Sequence, residues 1–538
     1  MQEPWWKSAV IYQIYPRSFQ DDNGDGVGDL RGIIRRLDYL VDLGVDALWL
    51  SPIFASPMKD FGYDVSDYLS IDPLFGTLAD FDELLAQAHA RGLRVILDQV
   101  LNHTSDEHPW FRESRRSRDN PRADWYVWVD GTRERPPNNW LSFFGGSAWE
   151  WDETRQQHYL HLFAREQPDL NWRNPEVRSA LHDVLRFWLE RGVDGFRLDV
   201  VNLYAKDALL RDSPPRRGAS SPIAFHNYHH VFFRDRPETL LYVEELAALV
   251  RRYPDRVTIG EVTSEQGLPV FLEYTKPGRL DLAFNFDFKH VPVYDARAFS
   301  ERVQRCEETY RDLAWPSYVL GNHDTARLIT RYGDGVHDRE RARVLAALLL
   351  TLRGTPFIYY GEELGMAQAT IPYERIVDPE GKNLWPHHPG RDGCRTPMQW
   401  DDGTFAGFST VEPWLPISPD SGSVNVARQA RDPASLLACY RGLLQLRRRS
   451  PALQLGDLRW LTPGEPGANR QTLAYVRELE GERKLVLLNF LDTPDRVALA
   501  LSDAPRVALG THRRAGARLD PGSVALEPFE VVIADLGG

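Results

Sequence analysis

The sequence predicts an α/β protein: a parallel (β/α)8 barrel with an inserted domain after the third strand and a C-terminal antiparallel β-domain. Three observations predict it: eight short apolar runs alternate with helical patterns, four of the runs end in chemistry-bearing residues, and the texture changes near residue 456. At 538 residues the chain exceeds one ordinary core. A large barrel with smaller appendages accommodates that length.

The apolar runs fall at 9–15, 45–50, 93–100, 193–198, 257–262, 282–286, 317–320 and 356–360. Between several of them lie stretches of helical period. One, at 80–91, follows a Thr77 start signal, and another, at 175–191, opens on Pro175 and stops at Gly192. This alternation favours a (β/α)8 TIM barrel, although periodicity alone leaves a doubly wound sheet open. The barrel is expected over 1–103 and 171–455.

Two intervals are too long for simple connections. Residues 104–170, rich in Trp, Asp, Asn and Pro, read as an inserted domain, and loops of that length are usually functional. Residues 366–433, with Pro372, Pro379, Pro386, Pro389 and Pro397, read as an irregular subdomain over the barrel mouth. From 456 to 538 short alternating segments such as 472–476 and 484–489, separated by Gly and Pro, predict a small β-domain. The run Arg447-Arg448-Arg449 reads as a solvated helix face.

A net charge of −13 argues against nucleic acid or an anionic membrane as partner and leaves a small neutral substrate as the alternative. Three cysteines without CxxC spacing support neither a disulfide framework nor a zinc site. The first seven residues lack a basic segment followed by an apolar one, and the longest apolar run, near 344–352, is too short to cross a bilayer. A cytoplasmic protein is expected.

The chemistry sits in four stretches: Asp98-Gln99-Val100-Leu101-Asn102-His103, Gly195-Phe196-Arg197-Leu198-Asp199, Ile259-Gly260-Glu261 and Gly321-Asn322-His323-Asp324. They bring acids, an Arg and two His to matching ends of separate strands, as barrel enzymes do. Cleaving a glycosidic bond with retention needs one carboxylate to attack the anomeric carbon and one carboxylic acid to protonate the leaving oxygen, about 5 to 5.5 Å apart. Asp199 and Glu261 end the fourth and fifth strands, which are neighbours in a barrel. Arg197, two residues before Asp199, projects to the same face and is expected to keep Asp199 ionised. A lone Asp at a strand end is more often a helix cap, but three acids in separate motifs point to catalysis.

These four stretches closely resemble the motif set of the α-amylase family, glycoside hydrolase family 13. The segment Gln167-Pro168-Asp169-Leu170-Asn171 resembles the signature of its oligo-1,6-glucosidase and α-glucosidase subfamily. The resemblance implies Asp199 as nucleophile, Glu261 as acid/base, and Asp324 as the group that holds sugar hydroxyls and stabilises the oxocarbenium charge. It also implies that Tyr63 stacks on the glucose ring and that His103, His323 and Gln167 belong to the same subsite. Asp64 and Arg395 are expected to bind hydroxyls there and close the far end of the pocket, making the enzyme exo-acting. Phe144 and Phe163 are read either as pocket lining or as core of the inserted domain.

The loop Asp21-Asp22-Asn23-Gly24-Asp25-Gly26-Val27-Gly28-Asp29 places oxygen donors at alternate residues like an EF-hand loop, but Gly32 stands where the bidentate Glu belongs. The resemblance implies a structural Ca²⁺ or Mg²⁺ held by Asp21, Asn23, Asp25, the Val27 carbonyl and Asp29. No cofactor is expected for the chemistry.

Specificity is divided. Val200 after the nucleophile resembles enzymes that favour α-1,6 links, whereas the stretches 59–64 and 103–110 resemble bacterial α-glucosidases acting on maltose and small aryl or alkyl glucosides. The reading favoured is a retaining exo-α-glucosidase releasing α-glucose from the non-reducing end of short α-glucosides, with transfer to an acceptor alcohol or sugar. The alternatives are an oligo-1,6-glucosidase and trehalose synthase. Sucrose isomerases carry an Arg-rich run where this chain has Phe286-Asp287-Phe288-Lys289-His290, which argues against that activity.

Overall fold

The computed structural model describes residues 3–461, 471–499, 501 and 504–537; the rest of the predicted 456–538 domain lies outside the described residues. Eight strands form one sheet: β1 (Ile11–Ile14), β2 (Ala47–Leu50), β3 (Arg94–Gln99), β4 (Gly195–Leu198), β5 (Val257–Gly260), β6 (Leu282–Ala283), β7 (Ser317–Val319) and β8 (Thr355–Tyr359). They hydrogen-bond in parallel in the order β6-β5-β4-β3-β2-β1-β8-β7. The sheet nearly closes where the Ser317 hydroxyl on β7 donates to the Ala283 carbonyl of β6 at 2.7 Å. Strands buried on both faces need apolar residues throughout, which is why the runs are continuous rather than alternating.

The helices begin and end where side chains satisfy their free backbone groups. Leu78–Ala90 opens on a capping box in which Thr77 accepts from Asp80 N–H. Pro175–Arg191 opens on an Asn174 cap and stops at Gly192, whose φ of 104° suits the left-handed end of a helix. It buries Leu181, Leu185 and Trp188 against the barrel. The sixth run departs from expectation. Only Leu282–Ala283 is strand, because the Asn285 side chain accepts from Phe288 N–H and winds Phe286–Lys289 into a helical turn.

In the insertion, strands Trp128–Val129 and Trp149–Asp152 flank Gln157–Leu160 in a small antiparallel sheet. Trp140 and Trp149 pack on Phe233 from the loop after β4, and the Trp140 indole donates to the Arg211 carbonyl at 2.9 Å. The insertion therefore rests on that loop beside the barrel mouth.

After the barrel come β9 (Asp457–Trp460), β10 (Thr472–Leu479), β11 (Glu482–Asn489), β12 (Asp495–Ala498), β13 (Arg506–Gly510), β14 (Ser523–Leu526) and β15 (Val531–Leu536). They form an antiparallel sheet ordered β9-β10-β11-β15-β13 and a separate β12–β14 pair. Arg447, expected in solvent, is buried and donates to the Leu350, Gly354 and Leu453 carbonyls. The charge replaces water with three backbone acceptors. The three cysteines are free thiols, and no described helix is long and apolar enough to cross a membrane.

Candidate active site

The acid pair is positioned by strand register. Val257 to Gly260 pair in order with Gly195 to Leu198, so Asp199 and Glu261 are each the next residue beyond matched strand ends. The strands can approach because position 195 is glycine; a Cβ there would meet the Val257 carbonyl oxygen at 2.2 Å. Arg197, fully buried, bridges the acids. Its Nη1 donates to Asp98 at 2.7 Å and Asp199 at 2.6 Å, and its Nη2 donates to Glu261.

Val200 adopts a left-handed conformation (φ 37°, ψ 45°) that is costly for a β-branched residue. Its N–H donates to Glu261 at 3.3 Å.

Asp98 and Asp199, two buried carboxylates on one guanidinium, cannot both ionise freely. Burial pushes the Asp199 carboxyl well up, with Arg197 opposing and Glu261 and Asp98 adding to the rise. Burial likewise pushes Asp98 up to about 6 against Arg197. The cluster therefore holds a proton more tightly than isolated carboxyls would, and that proton belongs to the group rather than to one member. The expectation that Arg197 alone keeps Asp199 ionised omitted burial and the two competing acids.

Beside the acids, the Tyr63 hydroxyl donates to Asp98 at 3.0 Å and its ring stacks on His323 with centroids 5.3 Å apart. Burial holds His323 neutral; Gln13 donates to its Nδ1 at 2.7 Å, leaving Nε2 for the Tyr63 hydroxyl at 2.7 Å or Asp324 at 3.1 Å. Burial also pushes His103 down to about 4, and its Nε2–H donates to the Tyr63 carbonyl at 3.0 Å. Tyr63, His103, His323, Asp199, Glu261 and Asp324 all line one cavity of about 440 Å³, a size usual for small-molecule sites. Arg197 and Gln167 do not line it. Gln167 supports it from behind, donating to Asp60 at 3.2 Å and to the Tyr63 carbonyl at 3.3 Å.

The far end of the cavity corrects the sequence reading. Both oxygens of Asp64 accept backbone N–H groups, from Lys59 at 2.8 Å and Asp60 at 2.9 Å, so its carboxylate caps its own loop. Arg395 is fully buried behind the wall, donating to the His323 carbonyl at 2.8 Å and Asp324 at 3.0 Å. The pair that lines the cavity is Asp60 and Arg391, 2.6 Å apart. Arg391 also binds Asp378 at 2.6 Å and reaches Asp324 at 3.4 Å. Burial would raise Asp324, but His323, Arg391, Arg395 and Lys289 hold it well below the usual carboxylate range. Because His323 is neutral, the two guanidiniums and Lys289 supply that effect at neutral pH. Asp60, Arg391 and the structural role of Asp98 escaped the sequence reading. Asp60 and Asp98 lie within quoted stretches and Arg391 lies four residues before Arg395, and only the loop's hydrogen bonds distinguish Asp60 from Asp64.

Phe144 and Phe163 both line the cavity, joined by Phe143, Val200, Ile223, Phe225 and Leu384. Phe163 also packs against the insertion's core, so the two readings of that residue hold together.

In the Asp21–Asp29 loop, Gly24 and Gly26 take φ of 81° and 89° and wind the chain tightly. Asp21 accepts from Gly24 and Gly26 N–H at 2.7 and 2.9 Å, Asn23 from Asp25, Asp25 from Val27, and Asp29 from Asp22 and Gly32. Oxygen donors at alternate residues fit a hard divalent cation. As placed, they engage the loop's own backbone, and among the described residues no three His, Cys, Asp or Glu side chains converge as a metal cluster.

A parallel barrel that sets two carboxylates at register-matched strand ends, in a cavity floored by Tyr and walled by Phe, is the frame of a glycoside hydrolase. The family profile "Alpha amylase, catalytic domain" matches residues 13–456. The chain is 49% identical over 502 residues to a protein of Rhizobium meliloti (strain 1021) named "Probable alpha-glucosidase", covering 91% of this chain and 90% of that one. It is 41% identical over 524 residues to an oligo-1,6-glucosidase of Parageobacillus thermoglucosidasius, covering 91% of each. The crystal structure of an alpha-glucosyl transfer enzyme superposes with a TM-score of 0.91 at 46% identity, covering 99% of this chain and 100% of that one. The chain belongs to the α-amylase family and is a glycoside hydrolase of it.

Proposed function

We propose that this enzyme is a retaining exo-α-glucosidase that removes a terminal α-glucose from short α-glucosides such as maltose. The observation that carries the reading is the ion-paired wall of the cavity. Asp60, Arg391 and Asp324 line the same cavity as Asp199 and Glu261 and are joined in one ionic network, which on this reading closes the sugar-binding end to all but a terminal residue. Asp199 attacks the anomeric carbon as Glu261 gives its proton to the departing oxygen, forming a β-linked glucosyl ester. Glu261 then takes a proton from water, whose oxygen attacks the same carbon, displaces Asp199 and yields α-glucose. The apolar wall of Phe143, Phe163 and Phe225 favours an alcohol or sugar in place of that water, so transfer accompanies hydrolysis. Similarity to an alpha-glucosyl transfer enzyme supports this part of the reading.

A second reading, preference for α-1,6 links, is favoured by Val200 beside Glu261 and by the oligo-1,6-glucosidase relative. NMR of early products from maltose and from isomaltose tests both. α-Glucose released first supports retention, and the faster substrate fixes the linkage. β-Glucose, or trehalose from maltose, removes the reading. The Asp21–Asp29 loop belongs to the proposal as a structural cation site; Ca²⁺ or Mg²⁺ should raise the thermal midpoint of chelator-treated protein without changing the chemistry.

A further inference from the structure

On the leaving-group side of the cavity, one cation is held with too few partners. Arg234, in the loop after β4, is 8% exposed and lines the cavity. Its Nη1 donates to the Thr263 carbonyl at 3.2 Å and lies 3.9 Å from Glu265. Thr263 stands two residues beyond Glu261, the acid that protonates the departing oxygen, so the guanidinium flanks the leaving group. Its Nε is buried without a partner. Among the described residues its Nη2 donates to nothing. Nε is sealed off, but Nη2 is not buried, so it is the donor that an oxygen of a bound ligand can reach in the cavity.

The surroundings set the chemistry of that ligand. Glu265 pairs with Arg216 at 2.6 Å, accepts from His230 N–H at 3.4 Å and lies 3.3 Å from His229 Nδ1. It pins the loop against the end of β5, and together with Asp235 it offsets the charges of Arg216 and Arg234. A locally balanced guanidinium suits a neutral hydroxyl better than a phosphate. Phe143 and Phe225 pack beside it with centroids 4.6 Å apart and rings tilted at 37°, a surface an aryl group can use without Arg234.

We propose that Arg234 determines leaving-group specificity: its guanidinium donates to a hydroxyl of the departing or accepting sugar and so favours saccharide over aryl partners. The inference rests on the α-glucosidase reading.

The test compares kcat/KM of wild type, Arg234→Ala and Arg234→Lys on maltose and on p-nitrophenyl α-glucoside. Loss of one charge-assisted hydrogen bond should lower the maltose value of Arg234→Ala about 10- to 100-fold and the aryl value less than about threefold. Arg234→Lys should recover part of the maltose activity, and it decides the matter alone, by the same selective loss, if Arg234→Ala does not fold. Parallel losses on both substrates, or no loss on either, would overturn the proposal. So would a wild-type preference for a disaccharide phosphorylated on its leaving glucose that Arg234→Ala abolishes. If wild type hydrolyses neither substrate, the α-glucosidase reading fails first and this inference falls with it.

Discussion

The two ends of one cavity use the same residue types to opposite effect. At Asp199, three carboxylates share the single guanidinium of Arg197 in a dry site, and both Asp199 and Asp98 are pushed up. At Asp324, Arg391 and Arg395 both approach one carboxylate whose side chain is 28% exposed to cavity water, and its charge is locked on. Asp378 beside it is fully buried, yet Arg391 overcomes that burial and holds it down at about 2. The contrast teaches that burial does not decide the state of an acid by itself. The cations around each acid set against its burial decide its state: Asp324 and Asp378 are held down, whereas Asp60, which shares Arg391 with them, is still pushed up by burial.

The sharpest break of that contrast is at the nucleophile. Asp199→Ala should lower kcat on p-nitrophenyl α-glucoside by about ten-thousandfold or more, with the thermal midpoint unchanged or raised, because one of three competing carboxylates is gone. Added azide, entering the vacated face, should restore turnover as a β-glucosyl azide. Activity near wild type, or rescue giving the α-azide, would take the nucleophile's role from Asp199.

Next in size is a paired test at the binding end. Asp60→Asn removes the charge that faces Arg391 in the cavity and should raise KM for maltose about 10- to 100-fold, with kcat changed less. Asp64→Asn, four residues away, should leave KM within about threefold, because its carboxylate is held by its own loop and does not line the cavity. The reverse ranking would restore Asp64 to the sugar site.

The physical reason for that paired test also marks how far the sequence could be read. Strand runs, the Thr77 and Gly192 helix signals and the register-matched acids were legible because period and caps are local properties. The barrel's order follows the chain because each strand pairs in parallel with its neighbour in sequence. Choosing Asp60 over Asp64, or Arg391 over Arg395, was not legible. Each pair sits in an irregular loop, where no period says which side chain turns inward, and long-range hydrogen bonds make the choice. Arg447 was misread for the same reason: its three acceptor carbonyls come from segments far apart in the chain. Charge states were least legible, since Arg197 beside Asp199 predicts ionisation until Asp98 and Glu261 are seen on the same guanidinium.

The smallest effect tests the shared proton directly. Asp98 is fully enclosed, accepting from Arg197, the Trp49 indole at 3.2 Å and Tyr63, and its folded pKa of about 6 exceeds the unfolded value near 3.9. A carboxyl whose pKa is raised by folding binds its proton more tightly in the native state. Its stabilising contribution is therefore full below about pH 4 and is lost as pH rises through about 6. Wild-type protein should lose stability from this source between pH 4 and 6.5, by about 2 to 3 kcal/mol if the cluster's other protons stay in place. Asp98→Asn keeps an acceptor for Tyr63 but cannot titrate, so its thermal midpoint should change less across that interval. Equal pH slopes for the two proteins would mean that the proton resides elsewhere in the cluster. The Asp199 end would then differ from the Asp324 end in geometry but not in proton affinity at Asp98.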